Sequence, residues 1–360
     1  MCELRELLTQ HAHRYPAMEP TDAIKLLYQA EFGGEHLVRD SAFGLEQLER
    51  EYQATPPDDC CPLSEDCGDG WVRLNLAAAR ALDVPPPLLY RLFVLSCGAA
   101  GGSQPRFIRQ LELLRELTAE GVFGFDSDRL ETALAEYRGA GYPAVHHSDA
   151  YRAAYRPAYR LVRRAYLPLL PALQRLYRLM AGQERVLLAI DGGCGTGKST
   201  AARQLAEIGE GQVISMDDFF LPPDLRTEAR RREPGGNVHY ERFSKEVLEP
   251  YGRGEPLSYR VFDCGTMDYV ARRELTPGRL TIVEGSYSCH PYFGSVYDCR
   301  LFLEADREIR CQRIAARNGD AALLRFQALW MPLEDAYFAA CHVRERADLV
   351  VRSSGNGIDF

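Results

Sequence analysis

The sequence predicts an α/β protein in two parts: an all-α N-terminal domain over residues 1–182, then a phosphate-loop (P-loop) domain over residues 183–360 built on a parallel sheet with helices on both faces. Three observations predict it. An apolar run, Val186–Ile190, leads into Asp191-Gly-Gly-Cys-Gly-Thr-Gly-Lys-Ser-Thr200 and then into the helical pattern Ala201–Ala206. After Gly182, short apolar runs alternate with helical patterns, the signature of a parallel sheet with crossover helices. Before Gly182, apolar residues recur at helical spacing and no stretch is rich in strand formers.

In the first half, Leu4, Leu7 and Leu8 open a helix, and Ile24, Leu26, Leu27 and Phe32 a second. Further helices are expected over 43–52, 72–82, 88–96, 107–117 and 127–137. Pro56-Pro57, Pro85-Pro-Pro87, Gly98 to Gly102 and Gly139 to Gly141 separate them. Two places draw a functional reading. Phe32-Gly-Gly-Glu-His36 offers Glu35 and His36 after a helix end, although a capping glycine followed by a solvated pair is the simpler explanation. Farther on, Tyr151, Tyr155 and Tyr159 fall four apart, with Arg152, Arg156 and Arg160 as the adjacent stripe. Seven arginines lie between Arg152 and Arg178, with no carboxylate from there to Glu184. Such a stripe suits an anionic aromatic ligand or RNA; packing is the commoner role of tyrosines at this spacing.

In the second half, Gly192, Gly197, Lys198 and Ser199 satisfy G-x-x-x-x-G-K-[ST], in the strand-then-helix setting that gives the pattern its meaning. The loop Gly192, Gly193, Cys194, Gly195, Thr196, Gly197, Lys198, Ser199, Thr200 is expected to wrap a nucleoside triphosphate. Its amides cradle the phosphates, Lys198 reaches the β- and γ-phosphates, and Ser199 ligates Mg²⁺. Strands are expected over 186–190, 213–216, 280–283, 300–303 and 349–351, and helices over 199–208, 243–248 and 307–317. Two strands end in carboxylates, at Asp217-Asp218 and at Glu284. One suits the metal and the other can take a proton from an attacking hydroxyl. Arg310, Arg313 and Arg317 share one helical face, as befits charge developing on a transferring phosphoryl group.

Composition bounds the rest. With 46% hydrophobic and 26% charged residues the 360-residue chain is of soluble globular type, and no apolar run is long enough to cross a bilayer. A net charge of −8 argues against general nucleic-acid binding, leaving only a local patch such as Arg152–Arg178. Eleven scattered cysteines after a charged beginning, Met1-Cys-Glu-Leu-Arg-Glu, suit free thiols in a reducing cytoplasm. Cys60, Cys61 and Cys67 do not match common zinc spacings.

Residues 185–352 resemble the uridine kinase and phosphoribulokinase-like branch of P-loop kinases. Ser215-Met-Asp217-Asp-Phe-Phe is similar to that family's S-x-D-x-F-Y, and Gly236-Asn-Val-His-Tyr-Glu-Arg-Phe243 to its N-x-D-H-P-x-x-F. Val261–Met267 stands where the family has Y-D-F-x-T-H. Glu284-Gly285, Leu301–Arg310 and Ala347–Val351 resemble its E-G strand end, its F-V-D-x-x-x-D-x-R run and its closing A-D-x-I-I strand. The resemblance implies a Mg²⁺- and ATP-dependent kinase acting on a small hydroxylated acceptor of nucleoside, sugar or vitamin-precursor type. Asp217 would be the base, Lys198 and Ser199 would serve phosphate and metal, Glu284 the metal, and Arg310 and Arg313 would clamp ATP. The acceptor side departs from the pattern: His239 lies near the ribose-gripping Asp, Met267 replaces a base-contacting His, and Asn318-Gly319-Asp320 stands where an R-G-R-D lid would be. Trp330 follows that lid and offers a ring to acceptor or adenine. Two other readings compete: an NTP-hydrolysing switch or motor, although N-K-x-D and L-S-G-G-Q motifs are absent, and an RNA-associated protein phosphorylating nucleic-acid ends.

Overall fold

The computed structural model describes residues 2–34, 41–98, 101–354 and 357–359, so Glu35 and His36 lie outside the described residues. The chain divides into two compact units, Met1–Leu167 and Pro168–Phe360.

The first unit is mainly helical. Helices Cys2–Arg14, Pro20–Phe32, Ser41–Ala54, Pro86–Gly98, Gln104–Ala119 and Ser127–Gly139 follow the expected segments. Leu8, Ile24, Leu27, Trp71, Phe107 and Leu114 are among the side chains of its core. The unit also holds a three-stranded antiparallel sheet, β1 (Ser64–Gly68), β2 (Trp71–Asn75) and β3 (Tyr159–Arg163), that periodicity did not reveal. In β2 four successive residues are buried, so the alternation that marks a half-exposed strand is missing. The helix expected over 72–82 is in fact β2 followed by the short helix Leu76–Ala81. Asn75 makes the switch, its side-chain oxygen accepting from the Ala77 amide at 2.8 Å.

The tyrosine–arginine stripe is likewise divided. The helix Asp149–Tyr155 stops at Arg156, whose φ is 44°, and Pro157 cannot continue it. Tyr159 and Arg160 therefore belong to β3. Tyr151 and Tyr155 turn inward onto Tyr15, with ring centroids 5.3 and 4.9 Å away. No single helical face carries the three arginines.

The second unit is built on β4 (Val186–Gly192), β5 (Gln212–Ser215), β8 (Leu280–Glu284), β9 (Cys299–Glu304), β10 (Leu349–Ser354) and β11 (Gly357–Asp359). Their order is β11-β10-β9-β4-β8-β5; all pairings are parallel except β10 with β11. Every residue of β4 and β8 is buried, as expected of central strands covered on both faces. A hairpin, β6 (Leu257–Asp263) and β7 (Asp268–Leu275), stands apart from this sheet. Its second strand is mostly exposed and reads as polar, which hid it from the sequence.

The helix Leu170–Gly182 belongs to this second unit, although it reads in sequence like the helices before it. It buries Leu170, Ala172, Leu173, Leu176 and Met180, and Arg279 donates to the Met180 carbonyl at 2.8 Å. Among the described residues no helix is long and apolar enough to cross a membrane.

Candidate functional site

The phosphate loop leaves β4, which is hydrogen-bonded between β9 and β8, and runs into the helix Lys198–Gly209. Its glycines are forced. Gly192 has φ 144°, and a Cβ there would lie 2.1 Å from the Leu303 carbonyl oxygen on β9. Gly195 has φ 78°, and its Cβ would meet the Arg310 carbonyl at 2.8 Å. Both values lie where side chains are strained.

Behind the loop, Asp191 is fully buried and accepts from the amides of Gly192, Tyr287 and Cys289 and from the Tyr337 hydroxyl. Burial pushes its pKa up to about 6 against those donors. Asp191 thereby ties the strand end to the segment after β8.

In front lies a cleft of about 440 Å³. Cys194, Gly195, Gly197, Lys198, Ser199 and Thr200 line it, whereas Gly192, Gly193 and Thr196 form its backing. Lys198 is nearly buried and donates to the carbonyls of Gly192 (2.8 Å) and Gly193 (3.0 Å). Thr196 donates to the Gly193 carbonyl at 2.8 Å and so closes the turn.

The two acidic strand ends meet in this cleft. Glu284, at the end of β8, accepts from the Ser199 hydroxyl at 3.0 Å and from the Ser215 hydroxyl, at the end of β5, at 3.2 Å. Burial raises its pKa, and the neighbouring Asp217 adds to the rise while Lys198 and the two hydroxyls oppose it. The pair fits a magnesium ion: oxygens bound side by side in an octahedron of about 2.1 Å radius lie about 3 Å apart. Asp217 follows β5 on the single turn Met216–Phe219 and lines the same cleft. Its side chain remains exposed to solvent, but the protein atoms crowded around it raise its pKa, with Lys198 and Arg317 pulling it back down and Glu334 adding to the rise.

The arginine face lies against the phosphate loop. Arg310 donates to the Cys194 carbonyl at 2.8 Å and pairs with Glu334 at 3.0 Å. Arg313 donates to the Gly195 carbonyl at 3.3 Å and to Ser353 at 2.8 Å. Both grip the loop through its backbone oxygens, so their positive charge lies at the loop itself. Arg317, exposed at the cleft mouth, is the arginine nearest in effect to Asp217.

Sequence reasoning missed Glu334. This buried carboxylate accepts from the Cys194 amide (2.9 Å), from Ser286 (2.7 Å) and from Arg310. It lies 140 residues from the Cys194 amide in sequence, and in that stretch only Trp330 stood out. Trp330 packs on Phe220 with centroids 5.7 Å apart, and both rings line the cleft. Cys264, in the β6–β7 turn, lines it too. His239 caps the short helix Tyr240–Phe243 and contacts Glu241 at 3.2 Å, and Met267 sits in the hairpin turn within 3.9 Å of Arg226. Neither His239 nor Met267 lines the cleft. Among the described residues Cys60 gathers with the exposed Asp59 and with Asp58 rather than with Cys61 and Cys67, and all eleven cysteines are free thiols.

No family model and no curated protein matches the chain. Solved structures do. The C-terminal half is similar to P-loop kinases of known structure. A candidate fructose transport system kinase from Silicibacter sp. TM1040 is 25% identical over 49% of this chain and 98% of its own, with a TM-score of 0.39. A possible uridine kinase from Bacillus stearothermophilus is 20% identical over 50% of this chain and 98% of its own, at 0.36. Shikimate kinase from Bacteroides thetaiotaomicron is 16% identical over 46% and 85%, at 0.26.

Proposed function

We propose that this chain is a Mg²⁺- and ATP-dependent phosphotransferase that moves the terminal phosphoryl group of ATP to a hydroxyl of a small metabolite, with Asp217 as general base. The observation that carries the reading is the convergence, in one cleft, of a phosphate loop, a hydroxyl–carboxylate pair spaced for a divalent cation, and a second carboxylate with a raised pKa.

The loop amides and Lys198 hold the phosphates. Ser199 and Glu284 would hold Mg²⁺, which would supply charge neutralisation to the triphosphate. Asp217 accepts the hydroxyl proton as the acceptor oxygen bonds to the γ-phosphorus; the bond from that phosphorus to the bridging oxygen breaks, and ADP leaves. Arg310 and Arg313 fix the loop and contribute positive charge behind it, while Arg317 faces the reacting side. Phe220 and Trp330 present an apolar wall to a ring of either substrate. A nucleoside, a sugar or a vitamin precursor fits these requirements, and the free thiols suit a cytoplasmic enzyme.

A coupled ADP-release screen across those three acceptor classes tests the proposal. On any accepted substrate, Asp217→Asn is expected to lower kcat by about 10²–10⁴-fold with MgATP affinity unchanged. Full turnover in Asp217→Asn would remove the assigned base.

A further inference from the structure

The first unit contains a buried polar chain that no part of the proposed phosphoryl transfer uses. Asp22, wholly buried, accepts from the amide (3.0 Å) and hydroxyl (2.6 Å) of Ser148 and lies 2.9 Å from His147 Nδ1. His147 Nε2 lies 2.7 Å from the Tyr159 hydroxyl, which accepts from Gln29 Nε2 at 2.9 Å. Gln29 Oε1 accepts twice from Arg73, at 3.1 and 2.8 Å, and Arg73 reaches Glu65 at 3.2 Å. With Asp22 ionised and accepting at Nδ1, the neutral imidazole accepts the Tyr159 proton at Nε2. A network so fully satisfied is rigid, and it holds Tyr159 and His147 in one orientation.

Both rings form one wall of a cavity of about 210 Å³. Lys25, His146, Arg152 and Arg160 complete its polar lining. Glu51 is the carboxylate on that lining, and Arg160 already bridges it at 2.8 Å. Arg152 is paired with the exposed Asp149. Lys25 differs from both. Its ammonium donates to the Val145 carbonyl at 2.8 Å, and among the described residues no carboxylate lies within ion-pairing distance of it. Burial, with Arg73 behind, lowers its pKa to about 8, and the Asp22 carboxylate one turn earlier opposes the fall. A half-buried cation beside two arginines, in a hollow of this volume, suits a compact anion.

We infer that this cavity is a second ligand site, in the first unit, for the phosphate group of a small phosphorylated molecule. Lys25 supplies the point charge, the Arg152 and Arg160 guanidinium groups the fork-shaped donors, and His147 and Tyr159 the fixed wall. The inference does not depend on the kinase reading, since none of these residues belongs to the second unit.

The test titrates inorganic phosphate by calorimetry into the full chain carrying Lys198→Ala, which disables the phosphate loop. Binding is expected to persist there, to weaken at least about tenfold on adding Lys25→Met, the worth of one charged hydrogen bond, and to survive largely in Lys25→Arg. Should Lys25→Met unfold the first unit, Arg152→Met at the exposed rim takes its place with the same expectation. Equal affinity with and without Lys25, or no heat at millimolar phosphate, would overturn the inference. So would a steeply salt-dependent affinity for an RNA oligonucleotide that Lys25→Met abolishes while phosphate alone does not bind, because the basic face would then serve nucleic acid.

Discussion

Asp217 and Arg317 set the pH behaviour of the proposed reaction. The protein atoms crowded around Asp217 raise its pKa, and the Lys198 and Arg317 charges hold it down. A base works in its deprotonated form, so activity is expected to rise with pH through the pKa of Asp217 and level off above it. Removing a nearby cation disfavours the carboxylate and moves that limb to higher pH. Arg317→Ala should therefore shift the acid limb of the kcat/KM profile upward, with the plateau lowered less than the acid side; an unmoved limb would mean that Arg317 does not face the base. Lys198 and Ser199 were legible in the sequence because the phosphate loop is a local pattern, and so were Asp217 and Glu284, each at or just beyond a strand end. Glu334 was not legible, because nothing local marks a carboxylate that meets an amide 140 positions away.

At the scale of elements, the helix Leu170–Gly182 is the instructive case. Its apolar face is plain in sequence, yet periodicity says only that a face is buried, not against what. It packs beside the helix Lys198–Gly209: Tyr177 donates to the Ile208 carbonyl at 3.4 Å, and Arg175 reaches Asp348 at 3.1 Å. Leu176 is 1% exposed, so Leu176→Ala should cost about 2–5 kcal/mol. The loss is expected in the melting transition that MgATP raises; a loss confined to the other transition would place this helix with the first unit. The β6–β7 hairpin and the β1–β2–β3 sheet were missed chiefly where alternation is lacking. Strand patterns are read from alternation, and β2 is buried on both faces while β7 is exposed on nearly all of its length; β6 does alternate over Leu257–Arg260, but too briefly to stand out without its partner strand. The tyrosine–arginine stripe failed for a different reason: helical spacing across Arg156-Pro157 was counted although proline forbids the continuation.

At the scale of the whole molecule, two compact units within one chain imply that the phosphate-binding machinery stands on its own core. A fragment covering 168–360 is expected to fold and to bind MgATP with an affinity close to that of the full chain. A fragment covering 183–360 lacks the helix that covers β4 and its neighbours, and should be aggregated or unfolded by circular dichroism. Equal behaviour of the two would show that the helix contributes nothing to this core. The sequence by itself determined the parallel sheet, its five parallel strands and the phosphate loop, because strand runs, a glycine pattern and acidic strand ends are read within a few residues of one another. Only the tertiary structure decided that Glu334 and Arg310 close on the loop, that the helix Leu170–Gly182 joins the second unit, and that Asp22, Lys25, Arg73, His147 and Tyr159 are drawn together in the first. Those contacts join residues tens to more than a hundred positions apart, and which distant surfaces bury each other is settled by packing, on which local spacing is silent.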